Sequence, residues 1–221
     1  MWTIDFLVDK IISSFTILTI MTSLMIIGGN SIRKYIKYYS YQGIMLAVVG
    51  LGIAIIAKKP DLFLIAILVL FVNGSFLPGL LYRCLNGIGD VREEESYIKI
   101  PVLIIIGVAF VILTYYIAYP MLAGDVPRLS LAICNSISVV LIGSFIIAIK
   151  KKAISQIIGF LIMRNGVLLT SILLTSGMPL AIEVGIIIEL VLTTFIMSIF
   201  THRIDSFFNN TDVSRLTKLR G

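Results

Sequence analysis

Charge is scarce in this chain: only 14% of its 221 residues are Asp, Glu, Lys or Arg, where a typical soluble domain carries about a quarter. Histidine occurs once, as His202, and cysteine twice, as Cys84 and Cys134, with no CxxC pair and no His/Cys cluster. That scarcity excludes a structural zinc, an iron–sulfur centre or a haem held by this chain alone, so no cofactor is expected. Cys134 reads inside a helix and Cys84 at a helix end, which favours free thiols over a disulfide. The spans hold no nucleophile set and no metal-ligand set, which argues against a membrane-embedded enzyme. Basic residues outnumber acidic ones, 18 to 12, but no basic run is long enough to make a nucleic-acid patch. A signal peptide is not expected either, because Asp5 and Asp9 stand where its basic region would be.

What the chain has instead is apolar sequence. Hydrophobic residues make up 58% of it, and the mean hydropathy is +1.05. A soluble fold of this size leaves too much of its chain exposed to hide that surface, so the bilayer is the natural solvent. Seven apolar stretches stand out, at 7–29, 40–57, 61–82, 100–120, 128–149, 153–176 and 178–201. Each is close to the ~20 residues that a crossing needs. They are separated by a basic segment at 30–37, the turn Lys58-Lys59-Pro60-Asp61, a polar loop at 83–99, two Gly/Pro turns near 125 and 178, and the run Lys150-Lys151-Lys152.

The loop charges orient these spans. With an odd number of crossings and the C-terminus inside, thirteen Lys/Arg fall on inside segments and four on outside ones. Cytoplasmic loops carry such an excess. The expected architecture is therefore an all-α polytopic membrane protein with about seven transmembrane helices, N-out and C-in. The tyrosines at 35, 38, 39 and 41 and at 115, 116 and 119 suit interfacial belts. Gly43, Gly50 and Gly52 in the second span, and Gly159, Gly166 and Thr170 on one face of the sixth, suit close helix packing. Asn73, Gly74 and Pro78 interrupt the third span, either as a kink re-satisfied by neighbours or as a break lining a polar cavity.

Three charges lie inside the spans: Arg164, Glu183 and Glu189. A charge near mid-bilayer costs at least ~2.5–3.5 kcal/mol on insertion scales, so such residues face protein or water and take partners. Arg164 and Glu189 are equidistant from the turn at Ser176-Gly177, and at about 1.5 Å of rise per residue both sit ~19 Å from it. An Arg164–Glu189 ion pair is predicted. Glu183 is six residues from Glu189, about 240° around the helix, and points elsewhere. The cluster is either a proton relay or an ion pair that fixes packing. A carboxylate paired with arginine resists protonation, which makes Glu183 the better proton carrier of the two.

The segments Gln156-Ile-Ile-Gly-Phe-Leu-Ile-Met-Arg-Asn-Gly, Gly177-Met-Pro-Leu and Glu183-Val-Gly-Ile-Ile-Ile-Glu, with the ending Asn210-Thr-Asp-Val-Ser-Arg-Leu-Thr-Lys-Leu-Arg-Gly, resemble hydrogenase-4 component E. That family comprises membrane subunits of formate hydrogenlyase-type complexes. Tyr41-Gln42 and Leu80-Leu-Tyr-Arg83 are compatible with it. The resemblance implies a front part of four helices, 1–125, and a three-helix part with a cytoplasmic tail, 126–221, similar to subunit K of respiratory complex I. It implies a non-catalytic subunit in the cytoplasmic membrane of a prokaryote. Its partners would be antiporter-like and complex I-like membrane subunits, a membrane-associated hydrogenase or related arm, and the lipid bilayer, with no nucleic acid. Glu183 and Glu189 would be the proton-path candidates. The chain departs from the family pattern at Met163-Arg164-Asn165-Gly166, where the family carries Met-Glu-Asn-Gly, and at Asn73-Gly74, where it carries a lysine after threonine. The alternative reading is a subunit of a multi-subunit cation/proton antiporter, or an independent small transporter.

Overall fold

The apolar stretches and their punctuation account for the helices found. A computed structural model of the chain describes residues 2–29, 31–58, 60–86, 99–122, 127–150, 152–175 and 185. Its elements are α1 (Trp2–Ile27), α2 (Ile32–Ala57), α3 (Pro60–Phe71), a π-turn (Val72–Phe76), α4 (Leu77–Asn86), α5 (Ile100–Leu122), α6 (Pro127–Ile149) and α7 (Ala153–Thr175). Six of the described helical segments are long and apolar enough to cross a membrane, with α3, the π-turn and α4 counting as one continuous span. The described residues are all-helical, as in a multi-pass membrane protein. Of the seventh predicted span, 178–201, only residue 185 is described, so Glu183 and Glu189 lie outside the described residues, as does the tail from 202 onward.

Proline sets two helix starts. α3 opens on Pro60 and α6 on Pro127, positions where a missing N–H costs nothing and a fixed φ favours the first turn. α2 stops two residues before Pro60, at Lys58, the one described non-glycine residue with positive φ (52°). A proline beyond the C-cap and a left-handed residue at the helix end are the usual way a helix terminates. One expected boundary is corrected. Residues 30–37 do not form a loop: α2 starts at Ile32, and its tyrosines and lysines make the first two turns of a helix.

Helices α1 to α7 fall within one compact unit, Met1–Pro179. α1, α2, α7 and α6 form a closed ring, each packed on the next. The α3–α4 span lies outside α2, and α5 lies outside α6 and α1. Small residues permit the closest approaches, at Gly43 and Gly166 as their spacing suggested and also at Gly143. A Cβ on Gly143 would stand 2.4 Å from the Met163 backbone nitrogen, one on Gly166 2.8 Å from the Val140 nitrogen, and one on Gly43 2.6 Å from the Asn73 carbonyl carbon. Without glycine at these points α6 could not close on α7, nor α2 on the third span.

The interruption of the third span is a π-turn, closed by the Leu77 amide donating to the Val72 carbonyl. Helix phase supplies the reason. The buried residues of α3 are Leu62, Ile65, Ala66 and Val69, and those of α4 are Leu77, Leu81 and Leu85. At about 100° per residue these two faces would point ~110° apart in an uninterrupted helix. One extra residue absorbed by a π-turn removes about 100° of that and brings both faces onto α2. Pro78 adds a second demand, because it cannot donate to the Gly74 carbonyl one turn earlier. The Ser40 hydroxyl donates to that carbonyl instead, at 2.7 Å.

A deletion tests this account. Removing Ser75, an exposed residue inside the π-turn, should leave an ordinary α-helix with both buried faces in phase. Monodisperse protein should then be recovered in detergent at close to the wild-type yield. Removing Leu68 instead rotates Val69 and Asn73 out of the packed face, and size-exclusion chromatography should show a sharp loss of folded chain. Equal loss from both deletions would refute the phase argument.

Candidate functional site

α7 carries Arg164, one of the three charges that the sequence singled out, and described residues of α2, the π-turn and α7 offer it uncharged acceptors. Arg164 is half-buried. Its Nη2 donates to the Tyr39 hydroxyl of α2 at 3.1 Å, to Asn73 Oδ1 in the π-turn, and to the neighbouring Asn165 Oδ1 at 3.3 Å. Tyr39 in turn donates its own hydroxyl to Asn73 Oδ1 at 3.0 Å. The Asn73 amide oxygen therefore receives two donors, from two different helices.

The contacts continue from there across the bundle. Asn165 Nδ2 donates to Gln42 Oε1 at 3.3 Å, and Gln42 Nε2 donates to Ser23 Oγ at 2.9 Å and to the Thr19 carbonyl at 3.3 Å. Further along α1, the Thr19 hydroxyl donates to the Thr16 carbonyl at 2.7 Å. Thr16 Oγ1 accepts from Asn135 Nδ2 of α6 at 2.9 Å, and Asn135 Oδ1 accepts the Tyr115 hydroxyl of α5 at 2.5 Å. A side link joins Ser136 of α6 to Thr170 of α7 at 2.7 Å. Thr16, Gln42, Asn73, Asn135, Arg164 and Tyr115 stand ten to fifteen residues from the same end of their spans. That is about 15–22 Å of helix, the middle of a hydrocarbon core of about 30 Å. They make a polar belt at mid-depth, running laterally from the third span to α5.

Asn73, Gln42, Asn135 and Asn165 are all buried, between 1% and 2% exposed. Buried amides of this kind must find partners, and a satisfied network fixes which helix meets which. Each membrane-embedded interhelical bond contributes roughly 0.6 kcal/mol on average, so the belt's larger effect is specificity of packing. Its make-up is unsuited to passing protons. Arginine keeps its proton at any ordinary pH, and the links beyond it are amides, neutral hydroxyls and backbone carbonyls, with no carboxylate or imidazole among the groups named. Thr19, Gln42, Leu46, Val139, Asn165 and Leu169 close around the amide step.

A second buried group closes one end of the ring. Lys150 was expected on a solvated basic stop, yet it is 3% exposed. Its Nζ donates to the Tyr35 hydroxyl at 2.9 Å and to the Gly29 carbonyl at 3.5 Å, while Tyr35 donates to the same carbonyl. One carbonyl just beyond the end of α1, that of Gly29, is thereby satisfied by a lysine from the end of α6. Gln156 Nε2 caps the Lys150 carbonyl at 2.8 Å.

Of the residues predicted from sequence, Arg164, Asn165 and Asn73 meet in one network, and Pro78 sits buried in the first turn of α4. Glu183 and Glu189, and with them the predicted Arg164–Glu189 pair, lie outside the described residues. Sequence reading missed Tyr39, Gln42, Thr16, Ser23, Asn135 and Tyr115. Tyr35 and Tyr39 were assigned to an interfacial belt but are fully buried. Their spacing held a signal: Tyr35, Tyr39, Gln42 and Leu46 recur at helical intervals on one face, and all four are buried. Among the described residues no group of three His, Cys, Asp or Glu side chains could hold a metal.

The chain resembles hydrogenase-4 component E over nearly its whole length. It is 21% identical to the hydrogenase-4 component E of Escherichia coli K12 over 213 residues, covering 96% of this chain and 99% of that protein. The corresponding protein of Shigella flexneri matches to the same extent. An uncharacterized protein of Mycobacterium tuberculosis is 26% identical over 202 residues, covering 91% of this chain and 92% of its own. No family model matches the chain, and no solved structure matches it.

Proposed function

We propose that this chain is an accessory subunit, without a catalytic centre of its own, of a hydrogenase-4-like assembly related to complex I, in the cytoplasmic membrane of a prokaryote. The end-to-end similarity to hydrogenase-4 component E carries this reading. The near absence of extramembrane sequence supports it, since such a chain has room to pack and little to catalyse with. On this reading the orientation is N-out and C-in, and the basic end that holds Lys150 faces the cytoplasm. The partners are antiporter-like membrane subunits and a hydrogenase-type or related arm.

The subunit's first task is assembly. The belt holds the ring helices in register at mid-depth, so that a partner meets one fixed surface. Any proton movement is assigned to the carboxylates of the last span, Glu183 foremost, because the belt is built from groups that keep their protons. Arg164 supplies the counter-charge to Glu189 on this reading.

Purifying the chain from its native membrane in mild detergent tests the proposal. Antiporter-like subunits and a hydrogenase-type module should co-purify in fixed ratio. Recovery with antiporter-like subunits alone would favour the antiporter reading, and recovery as a lone chain would overturn both. In the intact complex, Glu183→Gln should lower turnover-linked proton uptake while leaving the subunit composition unchanged. Unchanged uptake would make Glu183 a packing residue.

A further inference from the structure

Arg164 is the one intramembrane cation on which the proposed site depends, and its acceptors among the described residues are neutral. The Asn73 amide oxygen takes a donor from Arg164 and a donor from Tyr39. Asn73 is 1% exposed and Tyr39 fully buried, so neither can exchange these bonds for water. The surrounding backbone is arranged to hold Asn73 in place. The Ser40 hydroxyl fastens the adjoining Gly74 carbonyl. The absence of a side chain at Gly43 lets α2 press onto the Asn73 backbone, where a Cβ would lie 2.7 Å from its carbonyl oxygen. Tyr39, Ser40 and Gly43 are thus three points on one stretch of α2 that grip Asn73 and Gly74.

We propose that Tyr39 and Asn73 form a neutral cradle that positions the Arg164 guanidinium against α2 and the third span. The consequence reaches the proposed function, on which it rests. A guanidinium seated on amide and hydroxyl oxygens keeps its place whether a nearby carboxylate is ionised or protonated. The carboxylates of the last span can then gain and lose a proton without unseating the cation, and the packing of the ring does not follow their charge. Tyr39 and Asn73 are positioning residues in this scheme: they touch Arg164 and no transported species.

The sign of a pH effect tests the cradle on the full-length chain purified in detergent, independently of whether a complex forms. Asn73→Asp puts a carboxylate where the amide oxygen now sits, and the titratable groups hydrogen-bonded to that position among the described residues are Arg164 and Tyr39. Beside the guanidinium the introduced carboxylate stays ionised and paired. The difference in melting temperature between variant and wild type should therefore be flat from about pH 8 down to about pH 4, the ordinary range of an aspartate. With no cation beside it, the same buried carboxylate is tolerated only when protonated, and the variant would lose several degrees relative to wild type as pH rises from about 4. Flat behaviour is the expected result, and a progressive loss with rising pH overturns the proposal. Adding Arg164→Met to Asn73→Asp should convert the first pattern into the second. Where Asn73→Asp yields too little protein, Asn73→Leu is compared in the wild-type and Arg164→Met backgrounds. It should lower the melting temperature more in the first than in the second, where only the bond from Tyr39 is lost. An equal loss in both would mean that Asn73 serves packing alone. Failure of these measurements would remove the cradle and leave the subunit assignment to the co-purification result.

Discussion

Arg164→Met is expected to be the most damaging single substitution at the polar belt, lowering the stability of the purified chain by about 3–5 kcal/mol on the proposed pairing with Glu189, the range found when one partner of a buried ion pair is removed. Methionine fills much of the same volume, so the loss is one of hydrogen bonds. Asn73 Oδ1, the Tyr39 hydroxyl and Asn165 Oδ1 all lose the Nη2 donor. Each buried acceptor left short costs roughly 1–3 kcal/mol. The cost of carrying a charge into the bilayer does not offset this, because it burdens the separated helices as much as the packed bundle and cancels from the difference. On the proposed Arg164–Glu189 pairing, the substitution also strands a carboxylate. The double change Arg164→Met, Glu189→Leu should then be milder than the single one. Melting temperature and recovery of the assembled complex measure both. If Arg164→Met assembles and melts like wild type, the belt does not depend on its cation. If the double change is as damaging as the single one, the pair with Glu189 is absent.

Gly143→Val is expected to separate α6 from α7 and cost about 3 kcal/mol or more. Adding a single methylene to a filled interior typically costs ~1–3 kcal/mol, and valine adds three carbons. The first of them would lie 2.4 Å from the Met163 backbone nitrogen and 2.6 Å from its Cα. Backbone cannot swing aside as a side-chain tip can, so the whole helix has to move. That movement also breaks the 2.7 Å contact between Ser136 and Thr170, two turns along the same face of α6, and it loosens the site of Gly166 against Val140 and Ser136. The paired control is Gly79→Ala, where a Cβ meets nothing within 4 Å and the melting temperature should not change. Equal behaviour of the two variants would mean that the α6–α7 approach is not held at Gly143.

The two substitutions differ in how legible their sites were. Arg164 was visible in the sequence because a guanidinium in an apolar run is costly and needs an explanation. Gly143 was not singled out, because one glycine in a run of isoleucine and valine does not say which helix faces it. The belt was hidden for a related reason. Serine and threonine within a helix can satisfy themselves on the preceding turn, and several here do: Thr22 bonds to Leu18 and Thr19 carbonyls, and Ser138 to the Cys134 carbonyl. Their presence in a span therefore says nothing about a partner on another helix. Tyr39 was misplaced because its neighbours Tyr38, Tyr41 and Lys37 look interfacial, while the face that it shares with Tyr35 and Gln42 turns inward.

The π-turn shows the limit from the other side. Asn73, Gly74 and Pro78 announced an irregularity, read first as a kink re-satisfied by neighbours and otherwise as a break lining a polar cavity. The phase difference between the apolar faces of α3 and α4 was already present in the residue numbers. It becomes decisive only once both faces are known to meet the same helix.

The sequence by itself determined the solvent, the all-helical class, the approximate bounds of the crossings and the residue on which the site is centred. Hydrophobic burial, backbone satisfaction and the cost of a buried charge act on each span separately, and separate spans are what a sequence presents. The tertiary structure alone decided that α1, α2, α7 and α6 close into a ring, that an arginine rests on an asparagine 91 positions away, and that a lysine from a basic run turns inward to the Gly29 carbonyl just past α1. Those outcomes depend on how each helix is rotated about its axis and on which helix lies next to it. Nearly uniform apolar spans leave both undetermined until the few polar groups find one another.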